Sequence, residues 1–395
     1  MQTVTVVTST RADYGLLRPV LQKLAAQNEV AVRLLVTGSH LLPELGNTID
    51  EIEKDADIAA LIDEKMDILS QPVPQGRQGT AQRVALALQK GLAYFTKTMP
   101  DVVLVLGDRY EIFAIAQAAA LLDISVAHIS GGDVTFGADD DWMRHCITKI
   151  AKLHFPSCEA YRQRVLRMGE DPDRVFNVGG LGDENIRSMQ LMERVELEKS
   201  LNLSLQGRPY ALVTFHPETA TGIPAAKQAD IFLQAVDRVP QLFYIFTMAN
   251  ADAGGEEMNQ KMRQFCQTHT NAALFSSLGV LRYLSAMRYA AVVLGNSSSG
   301  VVETPSFGVL AVNVGSRQTG REICANVINC DLDADKIEAA ISAALQPQFA
   351  AKAAATQSPY NGGDTSGKIV SILLRFMRGQ LLTGPKTFYD GEGKV

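Results

Sequence analysis

Residues 102–129 read VVLVLGDRYEIFAIAQAAALLDISVAHI. Residues 102–106 are apolar throughout, as in a strand whose two faces are both covered by helices. Residues 112–122 have helical spacing, and residues 125–129 return to a short run of strand type. A strand, a helix and a second strand in this order predict a parallel βαβ unit. The polar group Gly107-Asp108-Arg109-Tyr110-Glu111 falls just after the first of these strands. That is where open α/β sheets bind their ligands.

The same alternation extends in both directions. Upstream, residues 3–8 and 30–36 read as strands. Between them, residues 16–26 read as a helix with Leu16, Leu17, Val20, Leu21 and Leu24 on one face. A long helix is predicted over 77–94, and the half continues through a run at 175–178. From about 187 to 208 the pattern becomes polar and charged, as in a connecting segment. It then restarts, with strands predicted at 210–215, 242–247, 272–275, 291–294 and 310–314 and helices at 226–238, 256–268, 279–288 and 300–307. An amphipathic helix over 366–377 is expected to pack back on the first half, and 383–395 reads as a polar tail with little to bury. The expected architecture is α/β, with two Rossmann-like, doubly wound domains spanning 1–187 and 208–360. Ligands are expected at strand C-termini, in the crevice between the domains.

Length and composition agree with this. The 395 residues suit two domains rather than one core, and 46% apolar with 20% charged residues is an ordinary globular mixture. A net charge of −6 argues against a broad nucleic-acid surface. Cys146, Cys158, Cys266, Cys324 and Cys330 have no CxxC spacing, which excludes a zinc ribbon and speaks against a disulfide framework. The first residues lack a basic region and a cleavage site, and no apolar stretch reaches the ~20 residues that span a bilayer. The expected location is the cytoplasm, without a membrane partner.

Five loops after strands concentrate polar chemistry. Thr8-Ser9-Thr10-Arg11 leads into the first helix, and Arg11 with the helix N-terminus suits a phosphate oxygen, although a capping turn explains it equally well. Asp108 and Arg109 form the second group, open to reading as an ion pair or as catalytic. The third runs from His128 through Gly131, Gly132 and Asp133 to Asp139, Asp140, Asp141 and Arg144. Asp140 and Arg144 are spaced to share a helix face, which is also what an acidic first turn with an ordinary helix pair would look like. A metal-binding DxD is the minor reading of this loop. The fourth, Phe215-His216-Pro217-Glu218-Thr219, places a histidine after the first strand of the second half. His154 reads as a core residue, His269 as a surface one, and His40 stays undecided. The fifth, Gly295-Asn296-Ser297-Ser298-Ser299-Gly300 followed by Glu303, exceeds what a plain helix cap requires and suits a diphosphate. Gly315-Ser316-Arg317-Gln318 adds a cation after the next strand.

Taken together, these motifs resemble the hydrolysing UDP-N-acetylglucosamine 2-epimerases of the sialic and legionaminic acid pathways, in the same order from about residue 5 to 321. The non-hydrolysing relatives usually carry Pro-Glu where this chain has Ala12-Asp13. The resemblance implies a two-domain GT-B-type fold, a UDP-sugar substrate, a homodimer or homotetramer, and no metal or nicotinamide cofactor. It implies elimination of UDP from UDP-GlcNAc to 2-acetamidoglucal, then addition of water with inversion at C2 to give N-acetylmannosamine; the alternatives are the same reaction on UDP-N,N'-diacetylbacillosamine and, less favoured, a GT-B glycosyltransferase. By position, Asp108, Asp133 and Asp140 match the family's catalytic carboxylates. Arg11, His216, Ser297 and Ser298 match its diphosphate contacts, and Glu303 its ribose carboxylate. Arg109, Arg144 and Arg317 match the remaining site cations, with Arg144 grouped among the catalytic residues; Asn250 and Gly300 are counted with the UDP-binding residues. One departure is Asp133, where family members commonly have Glu; the shorter side chain bears on which sugar is accepted.

Overall fold

The protein is described from a computed structural model that covers residues 1–42, 48–74, 76–135, 139–218, 221–249 and 254–391. Runs of β-branched and apolar residues form the strands because helices bury both of their faces. Val4, Val6 and Val7 in β1 (Gln2–Thr8) are wholly inaccessible to solvent. The first sheet adds β2 (Val30–Thr37), β3 (Ile62–Met66), β4 (Val102–Leu106), β5 (Ser125–Ile129) and β6 (Leu153–Phe155). The second contains β7 (Tyr210–Thr214), β8 (Phe243–Thr247), β9 (Ala272–Phe275), β10 (Val292–Gly295), β11 (Ala311–Val314) and β12 (Val327–Cys330). All their pairings are parallel.

The strand orders are β3-β2-β1-β4-β5-β6 and β12-β11-β10-β7-β8-β9. Counted from each sheet's own first strand, both are 3-2-1-4-5-6, the dinucleotide-fold order. Each order reverses between the first and fourth strand, so the helices that follow those two strands cover opposite faces. A crevice opens there at the carboxyl ends. The expected pair of Rossmann-like folds is present.

The chain divides into two compact units. The first comprises Met1–Asp133, Ala138–Glu184 and Gly362–Val395; the second is built mainly of Asn185–Asn361. In the first, Leu17, Leu21 and Leu24 of the helix Arg11–Ala25 share a core with Ile369 and Leu373 of the helix Thr365–Met377. The other face is covered by the helices Arg77–Thr98 and Tyr110–Leu121. In the second, Phe232 stacks on Phe215 with ring centroids 4.4 Å apart. Among the described residues no helix is long and apolar enough to cross a membrane.

Some expectations fail for physical reasons. The segment read as a connector contains the helix Arg194–Ser200, which buries Leu197 with Leu201 and Leu205 against the second sheet. β3 escapes the pattern because Asp63, Glu64 and Lys65 are exposed on an edge strand. Residues 175–178 give only an isolated bridge between Val175 and His154. The tail is not idle either, since Lys386 is held against the helix Asp139–Ile150.

Leu373 is wholly buried. Leu373→Ala should therefore lower unfolding free energy by about 2–5 kcal/mol, read as a shift in the urea midpoint of the unit that contains β1.

Candidate active site

In the first unit, the loop after β1 is built around a buried carboxylate. Asp13 accepts from the Ser9 backbone N–H at 2.9 Å, the Ser9 hydroxyl at 2.8 Å and the Thr10 N–H at 3.0 Å, and also pairs with the Thr8 hydroxyl. Burial alone would raise its pKa. Hydrogen bonds from His40, Thr8 and Ser9 outweigh that and hold it below the usual value. His40, undecided in the sequence, is a buried brace 3.0 Å from Thr8 Oγ1 and 2.9 Å from Thr48 Oγ1. The N–H groups of Ser9 and Thr10 therefore serve an internal anion, as the capping-turn reading of this loop expects. Arg11 lies exposed, 3.0 Å from Glu51.

Across the strand-order reversal, β4 ends in Gly107, whose positive φ of 79° turns the chain toward Asp108. Arg144 on the helix Asp139–Ile150 grips Asp108, with Nε 2.8 Å from Oδ2 and Nη2 on the same oxygen, and lies 3.3 Å from Asp141. Arg109 is anchored by the wholly buried Glu111 at 3.0 and 3.2 Å. His128, on β5, is kept neutral by burial, which pushes its pKa to about 3, and its Nε2 lies 2.8 Å from the Gly107 carbonyl. Gly132, with φ of 89°, has no room for a Cβ, which would sit 2.5 Å from the Tyr161 carbonyl.

Three of the sequence-selected carboxylates thus collect around two guanidiniums. Asp133 contributes negative charge at Arg144. Asp140 keeps an exposed face, yet loss of surrounding water and the nearby Asp108 raise its pKa to about 6 against the opposing pull of Arg109 and Arg144. The cluster offers a carboxyl able to hold a proton near neutrality beside one clamped in an ion pair.

In the second unit, the loops after β7, β10 and β11 are tied into one frame. Asn296 accepts from the His216 N–H at 2.7 Å and donates to the His216 carbonyl at 2.8 Å, bridging β7 and β10 at their reversal. The Asn296 carbonyl accepts from Gln318 at 2.8 Å and Arg317 at 3.4 Å. Glu218 takes the Ser316 and Arg317 N–H groups at 2.8 and 2.9 Å. A Cβ at Gly315 would collide with that carboxylate. The loops that carry His216, Ser297, Ser298, Gly300 and Arg317 are therefore tied to one another.

The serines do not behave as a simple cap. Ser298 stands before the short helix Ser299–Val302 without a side-chain capping bond. Ser299 Oγ lies 2.6 Å from Tyr283 Oη and 3.1 Å from Ser297 Oγ. Ser297 and Gly300 also line a small cavity with Thr214, Gly295 and Asn313. Glu303 follows this turn, and burial alone raises its pKa to about 7. Sequence reasoning missed Tyr283, an aromatic at a helical position that reads as core, and Glu218 as a brace. Asn250 lies outside the described residues, as do Thr219 and residues 136–138.

Residues 22–374 match the family described as UDP-N-acetylglucosamine 2-epimerase. A GDP/UDP-N,N'-diacetylbacillosamine 2-epimerase (hydrolyzing) of Campylobacter jejuni is 36% identical over 84% of each chain. The polysialic acid biosynthesis protein P7 of Escherichia coli is 34% identical over 99% of this chain and 98% of its own. A UDP-N,N'-diacetylbacillosamine 2-epimerase (hydrolyzing) of Legionella pneumophila is 33% identical, covering 93% and 94%. Among solved structures, UDP-GlcNAc 2-epimerase from Neisseria meningitidis bound to UDP-GlcNAc gives a TM-score of 0.78 at 18% identity. It covers 95% of this chain and 100% of its own, and shares the fold.

The raised acids have a consequence for stability. The folded protein holds the Asp140 and Glu303 protons more tightly than the unfolded chain, so their contribution is full below the unfolded values of 3.8 and 4.5 and is lost as pH rises through about 6 and 7. Glu303→Gln should flatten the fall in thermal midpoint between pH 4.5 and 7. Asp108→Asn, which removes a like charge, should move the Asp140 midpoint downward in a carboxyl-carbon NMR titration. An unchanged midpoint would mean that the two carboxylates do not interact.

Proposed function

The chain belongs to the UDP-N-acetylglucosamine 2-epimerase family, and on that ground we propose that it is a hydrolysing member, converting UDP-GlcNAc and water to free N-acetylmannosamine and UDP. The observation that carries this reading is the Asp108–Arg144–Asp140 cluster, in which one carboxyl is ion-paired and the other holds a proton near neutrality. Elimination needs a base for the C2 proton and support for the departing diphosphate. As the C2–H bond breaks, its electron pair forms the C1=C2 bond, and the C1–O bond breaks with its pair on UDP. Water then adds, with hydroxyl to C1 and a proton to C2 on the opposite face.

In this reading Asp108, Asp133 and Asp140 act on the sugar, and Arg109 and Arg144 hold the carboxylates and the developing charge. Asp140 is the residue that delivers or receives a proton. His216, Ser297, Ser298, Gly300 and Arg317 hold the diphosphate, with Asn250 and Arg11 as further substrate contacts. Glu303 takes the ribose hydroxyls, a role suited to a carboxyl that burial has made proton-seeking. Ala12-Asp13 in the first loop supports hydrolysis over simple epimerisation.

A second reading, the same reaction on UDP-N,N'-diacetylbacillosamine, is favoured by the names of the Campylobacter and Legionella relatives and by the shorter Asp133.

In D2O, UDP-GlcNAc should yield UDP and free N-acetylmannosamine carrying deuterium at C2, followed by NMR. A product still attached to UDP, or one retaining its original C2 proton, would sink the proposal. Turnover of the diacetylated sugar nucleotide alone would select the second reading.

Asp108→Asn and Asp140→Asn should each lose about 10²–10⁴-fold in turnover while UDP affinity, measured by calorimetry, stays near native. Ser298→Ala and His216→Ala should instead weaken UDP binding by roughly ten- to a hundredfold, the loss of one hydrogen bond to a charged oxygen. Near-native turnover in both Asn variants refutes the catalytic assignment.

A further inference from the structure

The helix Asp139–Ile150 carries Asp140 and Arg144 in its first half, and its other end is held in an unusual way. The last carbonyls of a helix have no donor within it. Here the Lys386 ammonium supplies one from the far end of the chain. Its Nζ donates to the carbonyls of Thr148 at 3.1 Å, Lys149 at 2.7 Å and Ala151 at 2.8 Å. An ammonium at a helix C-terminus suits both the unsatisfied carbonyls and the dipole.

The same ammonium lies 2.7 Å from Glu170 Oε2. Glu170 is wholly buried and also binds Lys149 at 2.6 Å and His154 Nε2 at 3.0 Å. The surrounding tail is fastened at several points. Arg174 donates to the carbonyls of Gly384 at 3.0 Å and Pro385 at 3.3 Å, and the Tyr389 N–H donates to the Gly169 carbonyl at 2.9 Å. Phe388 lies against Gly169, where any Cβ would strike the ring, with the Lys149 ammonium 5.0 Å from its centre.

We propose that residues 384–389 are a strap that sets the position of the helix Asp139–Ile150, with Lys386 as its positioning residue. This rests on the reaction proposed above, in which that helix carries catalytic groups. A second route leads to the same place. Thr148 Oγ1 lies 3.3 Å from His128 Nδ1, and His128 Nε2 lies 2.8 Å from the Gly107 carbonyl, immediately before Asp108. The strap, the helix and the Asp108 turn are therefore one hydrogen-bonded series. Slippage of the helix alters the separation of Asp140 and Arg144 from Asp108, on which their interaction depends.

The test compares Lys386→Met, Lys386→Arg and Phe388→Ala in the full-length chain. Phe388 is mostly exposed, so its variant loosens the strap while keeping the Glu170 contacts to Lys386 and His154. For Lys386→Met, kcat should fall about ten- to a hundredfold, the scale of a small misplacement, with KM and UDP affinity little changed. Phe388→Ala should show a smaller loss of the same kind, and Lys386→Arg should restore much of kcat. Amide hydrogen exchange should quicken along the helix Asp139–Ile150 but not along Ala225–Asp237 in the other unit. Native kcat per folded molecule in both Lys386→Met and Phe388→Ala, or unchanged exchange in the helix, overturns the proposal. If the native chain releases UDP from neither sugar nucleotide, the reaction fails and the strap is judged on exchange alone.

Discussion

In a parallel sheet ordered 3-2-1-4-5-6, the chain leaves the first and fourth strands toward opposite faces, so the carboxyl ends of two neighbouring strands are left without a helix directly over them. Both units obey this constraint, at β1/β4 and at β7/β10. The backbone there cannot be completed by the sheet, and buried polar groups must be satisfied locally. The first unit uses Asp13 and His128 for this, and the second uses the Asn296 amide and the Glu218 carboxylate. Side chains on these braced loops are held in place without being consumed by the bracing.

The two units use burial of acids differently. Glu303 is raised by loss of water alone, so its proton affinity is a property of one pocket. Asp140 is raised by loss of water and by Asp108, and lowered by Arg109 and Arg144, so its proton affinity is a property of an arrangement. An acid tuned by several opposing neighbours responds to small displacements of the element that carries it. A firmly anchored helix is then a chemical requirement as well as a structural one, and the ion cluster around Glu170 provides the anchor.

Much of the fold was legible from residues 102–129 and their repeats, because strand and helix periodicities are local and helices on both faces impose apolar strands. The loops richest in polar residues fell where that periodicity placed strand ends, and Asp108, Asp133, Asp140 and Arg144 do gather there. Edge strand β3 was missed because Asp63, Glu64 and Lys65 are exposed between its two apolar ends, and the helix Arg194–Ser200 because Leu197 is its one buried residue among charges.

The amino-acid order by itself determined the alternation of strands and helices and the candidate loops, since each depends on neighbours within a turn or two. Partner choice was decided only in three dimensions. Asp13 takes the N–H groups of Ser9 and Thr10 in a turn whose sequence suited a cap and a phosphate equally. Glu218 holds a loop 98 residues away, and Lys386 caps a helix 238 residues before it. A charge carries no mark of its distant partner; the partner follows from which loops the strand-order reversal brings together and which groups lose water there.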